Sequence, residues 1–216
     1  MPQFADRMSA GQQLAEELSE YADQEDVVVL GLPRGGVPVA FEVAKALEAP
    51  LDVFVVRKLG VPGNPELAMG AIASGGVRVM NEDVVRRLGI SEEDIERIAT
   101  REREELERRE EAYRGARPGI DVEEKTVILV DDGLATGATM RAAVSALRKS
   151  DPKRIIIAVP TAPPETCADF EDVADGIICL RTPRPFFGVG GSYLDFSQTS
   201  NEQVRALLNE ADEFTS

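Results

Sequence analysis

The chain has 216 residues, 43% of them hydrophobic, and a formal net charge of −15. That length suits one domain with a sizeable core, and the acidic balance argues against nucleic acid or an anionic membrane as partner. With no apolar run of membrane-spanning length and no secretory h-region at the start, a cytoplasmic protein with a single domain over residues 1–216 is expected.

Residues 5–21 have the spacing of an amphipathic helix, with Leu14, Ala15 and Leu18 on one face. Val27–Leu30 reads as a strand buried on both sides. It runs into Gly31-Leu32-Pro33-Arg34-Gly35-Gly36, too glycine-rich for helix or strand, and a helix follows through Leu47. Strand, glycine-rich loop and helix form an anion-binding geometry to which Arg34 adds a cation. A second strand, Leu51–Val56, ends at Arg57-Lys58. Adjacent cations at the end of a buried strand are unfavourable unless an anion meets them.

Residues 59–66 carry Gly60, Pro62, Gly63 and Pro65 and read as an irregular loop. Leu67–Ala73 and Val77–Met80, split by Ser74-Gly75-Gly76, look like a hairpin. Ser91–Arg114 is a long charged helix capped by Ser91 with Asp94. Its expected supporting pairs are Glu93/Arg97, Glu104/Arg108 and Glu105/Arg109, and Ile95, Ile98, Ala99, Leu106 and Tyr113 form a thin apolar stripe. Its ten acids outnumber its six bases, which opposes a DNA-binding role.

Val127-Ile128-Leu129-Val130 is another buried strand, followed at once by Asp131-Asp132-Gly133-Leu134-Ala135-Thr136-Gly137-Ala138-Thr139. Glycine and hydroxyl residues opening a helix present N–H and O–H donors to a phosphate. Two carboxylates beside them suit vicinal hydroxyls, since each accepts two hydrogen bonds. Gly133 permits the turn needed for both carboxylates to face one ligand. A P-loop is excluded by the missing Gly-Lys-Ser/Thr ending, and no GxGxxG fingerprint is present. The helix opened by the glycine and hydroxyl loop continues through Ala142–Lys149, and a strand over Ile155–Val159, a rigid turn at 160–164, a short helix and a last strand, Gly176–Leu180, complete the alternation of a mainly parallel sheet flanked by helices. Residues 183–199 break that rhythm with several Pro and Gly and with Phe186, Phe187, Tyr193 and Phe196, aromatics that cover something. A helix at Glu202–Leu208 closes the chain. Cys167 and Cys179 have no metal spacing and read as reduced thiols. With no histidine in the chain, a general base would have to be a carboxylate, Tyr, Lys or the substrate itself.

Val127–Thr139 resembles the phosphoribosyl-pyrophosphate (PRPP) signature of the type I phosphoribosyltransferases: apolar strand, acidic pair, then a short Ala/Thr/Gly loop. The resemblance covers roughly Val27–Leu180 and implies that family's α/β, Rossmann-like fold with a flexible loop and a small hood. It implies transfer of a 5-phosphoribosyl group from PRPP to an acceptor, with release of pyrophosphate. In such a site Ala135, Thr136, Gly137, Ala138 and Thr139 hold the 5-phosphate. Asp131 and Asp132 hold ribose hydroxyls or water on a Mg²⁺ ion brought with the substrate. Arg34, Gly35 and Gly36 contact pyrophosphate, and Arg57 and Lys58 balance its charge. The loop around residues 62–76 is the lid, and the aromatic segment belongs to the hood that receives the acceptor. Ala135 stands where 6-oxopurine enzymes carry Asp; the wording is closer to adenine phosphoribosyltransferases, with Glu66 as a weak counterpart of their loop glutamate. A cytoplasmic homodimer is the implied assembly. The alternative is a regulator of the same fold that senses PRPP without turnover.

Overall fold

Uninterrupted apolar runs build a sheet covered on both sides. The structure, a computed structural model that describes residues 3–214, has a five-stranded sheet in the order β2-β1-β6-β7-β8, comprising β1 (Val27–Gly31), β2 (Leu51–Val53), β6 (Thr126–Val130), β7 (Arg154–Thr161) and β8 (Gly176–Arg181). All four pairings are parallel. Along β6 the side chains alternate between two cores. Ile128 and Val130 join Val27, Val29 and Phe41, whereas Val127 and Leu129 join Leu30, Ile157 and Met140. Helices α1 (Arg7–Glu17), α2 (Gly36–Leu47) and α7 (Asn201–Phe214) contribute to the first core, and α5 (Ala138–Leu147) to the second.

A second sheet is antiparallel, in the order β3-β4-β5, from β3 (Val56–Val61), β4 (Asn64–Ala73) and β5 (Val77–Met80). It is followed by α3 (Glu82–Leu88) and the long α4 (Glu92–Arg114), on which Ile95, Ile98, Ala99, Leu106 and Tyr113 are buried as the stripe predicts. The hairpin expected over residues 67–80 forms, with Gly70 opposite Met80.

Several expectations need correction. The strand expected at Leu51–Val56 is two strands in different sheets, because the chain leaves the parallel sheet after Val53 and enters the antiparallel one at Val56. Arg57 and Lys58 therefore lie within β3 and not at the end of a core strand. Residues 59–66 are mostly the β3–β4 hairpin, turning at Pro62-Gly63. Pro160 and Thr161 extend β7, and α5 opens at Ala138 straight from the loop, as the sequence suggested, and ends at Leu147. On α4, Arg97 pairs with Asp94 and Arg108 with Glu105, three residues away; of the expected pairs, Glu105/Arg109 forms, at 2.7 Å. The reading of the cysteines as reduced thiols is overturned. Cys167, on the short helix α6 (Pro164–Ala168), is disulfide-bonded to Cys179 on β8, with Cα atoms 6.7 Å apart. Tertiary packing of α6 along β8 brings the two together, which a spacing of 12 residues does not reveal.

Candidate active site

Adjacent parallel strands deliver their following loops to the same edge of the sheet. Here β1 and β6 pair from Val27/Thr126 to Gly31/Val130, so the Arg34-Gly35-Gly36 loop and the acidic pair emerge side by side. The Leu32 N–H donates to the Val130 carbonyl at 2.8 Å, tying the first loop to the second strand. A Cβ at Gly36 would lie 2.8 Å from the Asp131 Cα and 3.1 Å from its Oδ1. At Gly35 it would lie only 2.0 Å from Asp132 Oδ2. Neither glycine has a left-handed φ; the requirement is closeness. Both carboxylates thus rest against one bare step of backbone.

The two acids sit close together with little access to solvent. The Asp132 N–H donates to Asp131 Oδ1 at 2.8 Å, folding the first side chain over the second residue's backbone. Burial first, and then the charge of Asp132, push Asp131 well above the usual carboxylate range. Burial pushes Asp132 up as well, against the pull of Arg7. Arg7, at the start of α1, donates from Nε to Asp132 Oδ2 at 2.8 Å. Its Nη1 donates to the Ser197 carbonyl at 2.7 Å, and its guanidinium lies 3.9 Å over the Phe196 ring. The Tyr193 hydroxyl donates to the Asp132 carbonyl at 2.5 Å. Burial pushes that phenol upward, so it stays a donor. Gly133 is pinned between Thr161 and Val189, where a Cβ would meet Val189 at 2.7 Å. With φ +159 the position asks for glycine's backbone freedom, as the sequence suggested, and for space as well.

Beyond the acids, Gly137 adopts φ +70 and starts α5, and a Cβ there would strike Phe170 at 2.5 Å. The Ala138 N–H points at Thr136 Oγ1, 3.4 Å away. Ala135, Thr136, Ala138 and Thr139 are exposed at the positive end of the helix dipole. Thr166 of α6 donates to the Ala135 carbonyl at 3.1 Å, so α6 braces this loop from behind.

Of the sequence-predicted residues, Asp131, Asp132, Gly35 and Gly36 are in contact, and the 135–139 loop follows directly. Arg34 is in the same loop as Gly35 and Gly36, after β1. Arg57 binds Glu102 of α4, its Nε at 3.0 Å from Oε2, and Lys58 Nζ donates to the Glu66 carbonyl at 3.0 Å. Arg7, Tyr193, Phe196 and Thr166 were not predicted as site residues. The cluster of aromatics was a signal for two of them; nothing in the sequence aimed Arg7 at residue 132. Two cavities adjoin the hood. One of about 340 Å³ has Arg7, Pro38, Ser197 and Leu207 in its wall, and one of about 220 Å³ has Arg181, Arg184, Phe187 and Ser192.

Among the described residues no cluster of three or more acidic, His or Cys side chains could cage a metal ion. Two carboxyl groups face one guanidinium, and a hard divalent cation such as Mg²⁺, completed by ligand and water oxygens, fits them by favouring the ionised form that burial opposes.

The family model for the phosphoribosyl transferase domain matches residues 5–190. A protein of Mycobacterium tuberculosis H37Rv, Rv0571c, provisionally named a phosphoribosyl transferase, is 49% identical over 98% of the chain and 47% of its own length. The chain thus spans about half the length of the curated relatives it matches. The crystal structure of TT1426 from Thermus thermophilus is 45% identical, covers 97% of this chain and 99% of its own, and superposes with a TM-score of 0.87. The bifunctional protein PyrR of Clostridium kluyveri is 29% identical over 62% of the chain and 56% of its own length.

Proposed function

The chain belongs to the phosphoribosyl transferase family, and on that footing we propose that it moves the 5-phosphoribosyl group of PRPP onto a nucleobase, releasing pyrophosphate. The observation that carries this reading is the contact of both signature carboxylates with the Gly35-Gly36 step, beside the open N-terminus of α5. In this reading the phosphate cradle, the acidic pair and the Gly35-Gly36 loop serve in turn the 5-phosphate, the ribose hydroxyls and the pyrophosphate of PRPP.

In this reading the 135–139 loop binds the 5-phosphate through backbone N–H groups and the hydroxyls of Thr136 and Thr139. Asp131 and Asp132 take the ribose hydroxyls, Asp132 doing so once Arg7 yields one of its oxygens. Arg34 and the N–H groups of Gly35 and Gly36 hold pyrophosphate. Arg57 and Lys58, on the lid sheet, add positive charge near the leaving group after exchanging Glu102 and Glu66 for it. Mg²⁺ bound with PRPP would be held from the protein side by Asp131 and Asp132 and would neutralise charge on the leaving pyrophosphate. The rest of catalysis is positioning and exclusion of water. The hood cavity bordered by Arg184, Phe187 and Ser192 is of a size for one heterocycle and receives the acceptor.

No helix among the described residues is long and apolar enough to cross a membrane. We place the protein in the cytoplasm as a homodimer, on the ground of the family. A disulfide is unusual there outside thermophiles, so assays belong under both redox conditions. The test is incubation with PRPP, Mg²⁺ and a panel of nucleobases. Base-dependent pyrophosphate release is expected; tight PRPP binding with no release on any base would overturn turnover in favour of sensing.

A further inference from the structure

The cavity of about 340 Å³ lies where the start of α1, the first turn of α2, the hood segment 195–199 and α7 meet. Its walls are fixed from several sides. The Asp195 N–H donates to the Ala5 carbonyl at 2.9 Å, joining the hood to the approach to α1. At the start of α7 the Ser200 N–H donates to Gln203 Oε1 at 2.7 Å, and the Gln203 N–H donates to Ser200 Oγ at 3.1 Å. A pocket already formed needs little ordering to take a small molecule.

One group in the wall lacks a partner. Thr199 is 7% exposed, yet its hydroxyl makes no hydrogen bond with any described residue. No side-chain polar atom among the described residues is both fully buried and unpaired, so that oxygen opens onto the cavity its residue lines. A hydroxyl so nearly removed from water gains most from a ligand that bonds to it.

The rest of the lining says what that ligand is. Met8, Pro38 and Leu207 supply an apolar side. Two carboxylates stand beside it. Asp6 Oδ1 accepts from the Ser9 N–H at 2.8 Å and Asp195 Oδ1 from the Ser197 N–H at 2.9 Å, so both keep further acceptor sites. The backbone N–H of Ser197 and then its hydroxyl hold Asp195 below the usual carboxylate range, so it is ionised at neutral pH. The cation in the wall, Arg7, is already engaged by Asp132 and by the Ser197 carbonyl. An anionic ligand would therefore meet ionised acids with no uncommitted cation to offset them.

We propose that this cavity binds an uncharged nucleoside, its base against the apolar side, its vicinal sugar hydroxyls on Asp6 and Asp195, and Thr199 completing a hydrogen bond to it. Arg7 forms the end nearest the signature, so the site borders the acidic pair without including it.

The site is independent of the transfer reading. Adenosine, guanosine, cytidine and uridine are titrated calorimetrically into parent, Thr199→Val and Ala206→Trp. Ala206 lines the cavity from an exposed position on α7, so the larger ring fills the space without entering the core. Thr199→Val keeps the shape and removes the hydroxyl. At least one nucleoside is expected to bind the parent, at least tenfold more weakly to Ala206→Trp and several-fold more weakly to Thr199→Val. Ribose 5-phosphate should bind all three proteins alike, which separates this cavity from the signature loop. The 2′-deoxy form of the bound nucleoside should lose several-fold in affinity. Putrescine, a cation that would serve two acids without needing the apolar side, should bind more weakly still. The proposal is overturned if no nucleoside binds the parent, or if Ala206→Trp binds it as the parent does. It is equally overturned if the 2′-deoxy form or putrescine binds as tightly as the nucleoside. Failure of the transfer reading would appear elsewhere, as absent pyrophosphate release with nucleoside binding intact.

Discussion

The Nε–H of Arg7 donates to Oδ2 of Asp132 across 2.8 Å, joining residues 125 positions apart at the centre of the signature. Arg7 occupies an oxygen that a ribose hydroxyl or a Mg²⁺-bound water would otherwise take. Both side chains are mostly buried, at 11% and 15% exposure, so removing one leaves an uncompensated charge. Arg7→Met is expected to lower stability of the empty protein by about 1–3 kcal/mol. Because a divalent ion can replace the lost guanidinium, added Mg²⁺ should restore part of that loss. Thermal melting with and without Mg²⁺ checks this, and an equal deficit in both conditions would count against it.

The acidic pair itself carries a pH signature. Asp131 sits above its ordinary 3.8 through burial and then the charge of Asp132, and Asp132 is raised by burial despite Arg7. The folded pKa exceeds the unfolded one, so the pair's contribution to stability is complete below about 3.8 and is lost as pH rises through the folded value. Paired carboxylates such as Glu105, held at about 2 by Arg108 and Arg109, act in the opposite sense. The pair's share is therefore read as the difference between parent and Asp131→Asn/Asp132→Asn. That double variant should gain stability relative to parent as pH rises from about 4 toward neutrality. It should also lose the Mg²⁺-dependent rise in melting temperature with PRPP while keeping inorganic phosphate binding. An equal PRPP shift in both proteins would make the pair structural.

Gly35 has an ordinary helical backbone, φ −65, so alanine costs nothing there in conformation. Its Cβ would nonetheless sit on the Asp132 carboxylate. Gly35→Ala should fold and should reduce turnover by about a hundredfold or more, the scale on which displaced catalytic geometry acts. Retention of a tenth or more of parent kcat would show that the two loops need not touch.

The Cys167–Cys179 bridge closes a short loop, so breaking it should cost about 2–3 kcal/mol. Cys167 neighbours Thr166, which holds the Ala135 carbonyl, so the cost should extend to the phosphate loop. Cys167→Ser/Cys179→Ser is expected to match reduced parent in melting temperature and to bind ribose 5-phosphate several-fold more weakly. Unchanged binding, measured by calorimetry, would mean α6 holds its place without the bridge.

A Cβ at Gly137 would meet Phe170, so Gly137→Val would disturb the loop whatever binds there. Thr136→Val is the cleaner probe: the side chain is exposed, and its Oγ1 makes only a 3.4 Å contact with the Ala138 N–H. Stability should stay within about 0.5 kcal/mol while phosphate binding weakens. A change in melting temperature without a change in affinity would place Thr136 in the scaffold.

Local order in the sequence explains which parts of this site were legible. Strand, acidic pair, glycine and hydroxyl loop, and helix are consecutive from Val127 onward, so their relation needs no tertiary knowledge. The juxtaposition of Gly35 with Asp132 follows from β1 and β6 being neighbours, which apolar runs suggest through the alternation of strand and helix. What stayed hidden depends on where side chains go after the chain has turned away. Arg57 stood out as half of a cationic pair, but its partner is Glu102, 45 residues on, in a helix whose sequence reads as surface charge. The disulfide depended on α6 docking along β8. The break between Val53 and Val56 was masked by continuous apolar residues, which satisfy a parallel strand and the first residue of an antiparallel one equally well.

Phe4 forms a bridge with Tyr193, and the Leu194 and Asp195 N–H groups donate to the carbonyls of Phe4 and Ala5 at 2.8 and 2.9 Å. The roof over the acidic pair is therefore woven from two stretches nearly 190 residues apart, one carrying Arg7 and the other Tyr193 and Phe196. For anyone grafting acceptor preference between relatives, these stretches are a single heritable part. A chimaera that exchanges residues 189–197 without residues 4–7 would bring together halves that never evolved against each other, leaving the signature intact beneath a mismatched cover.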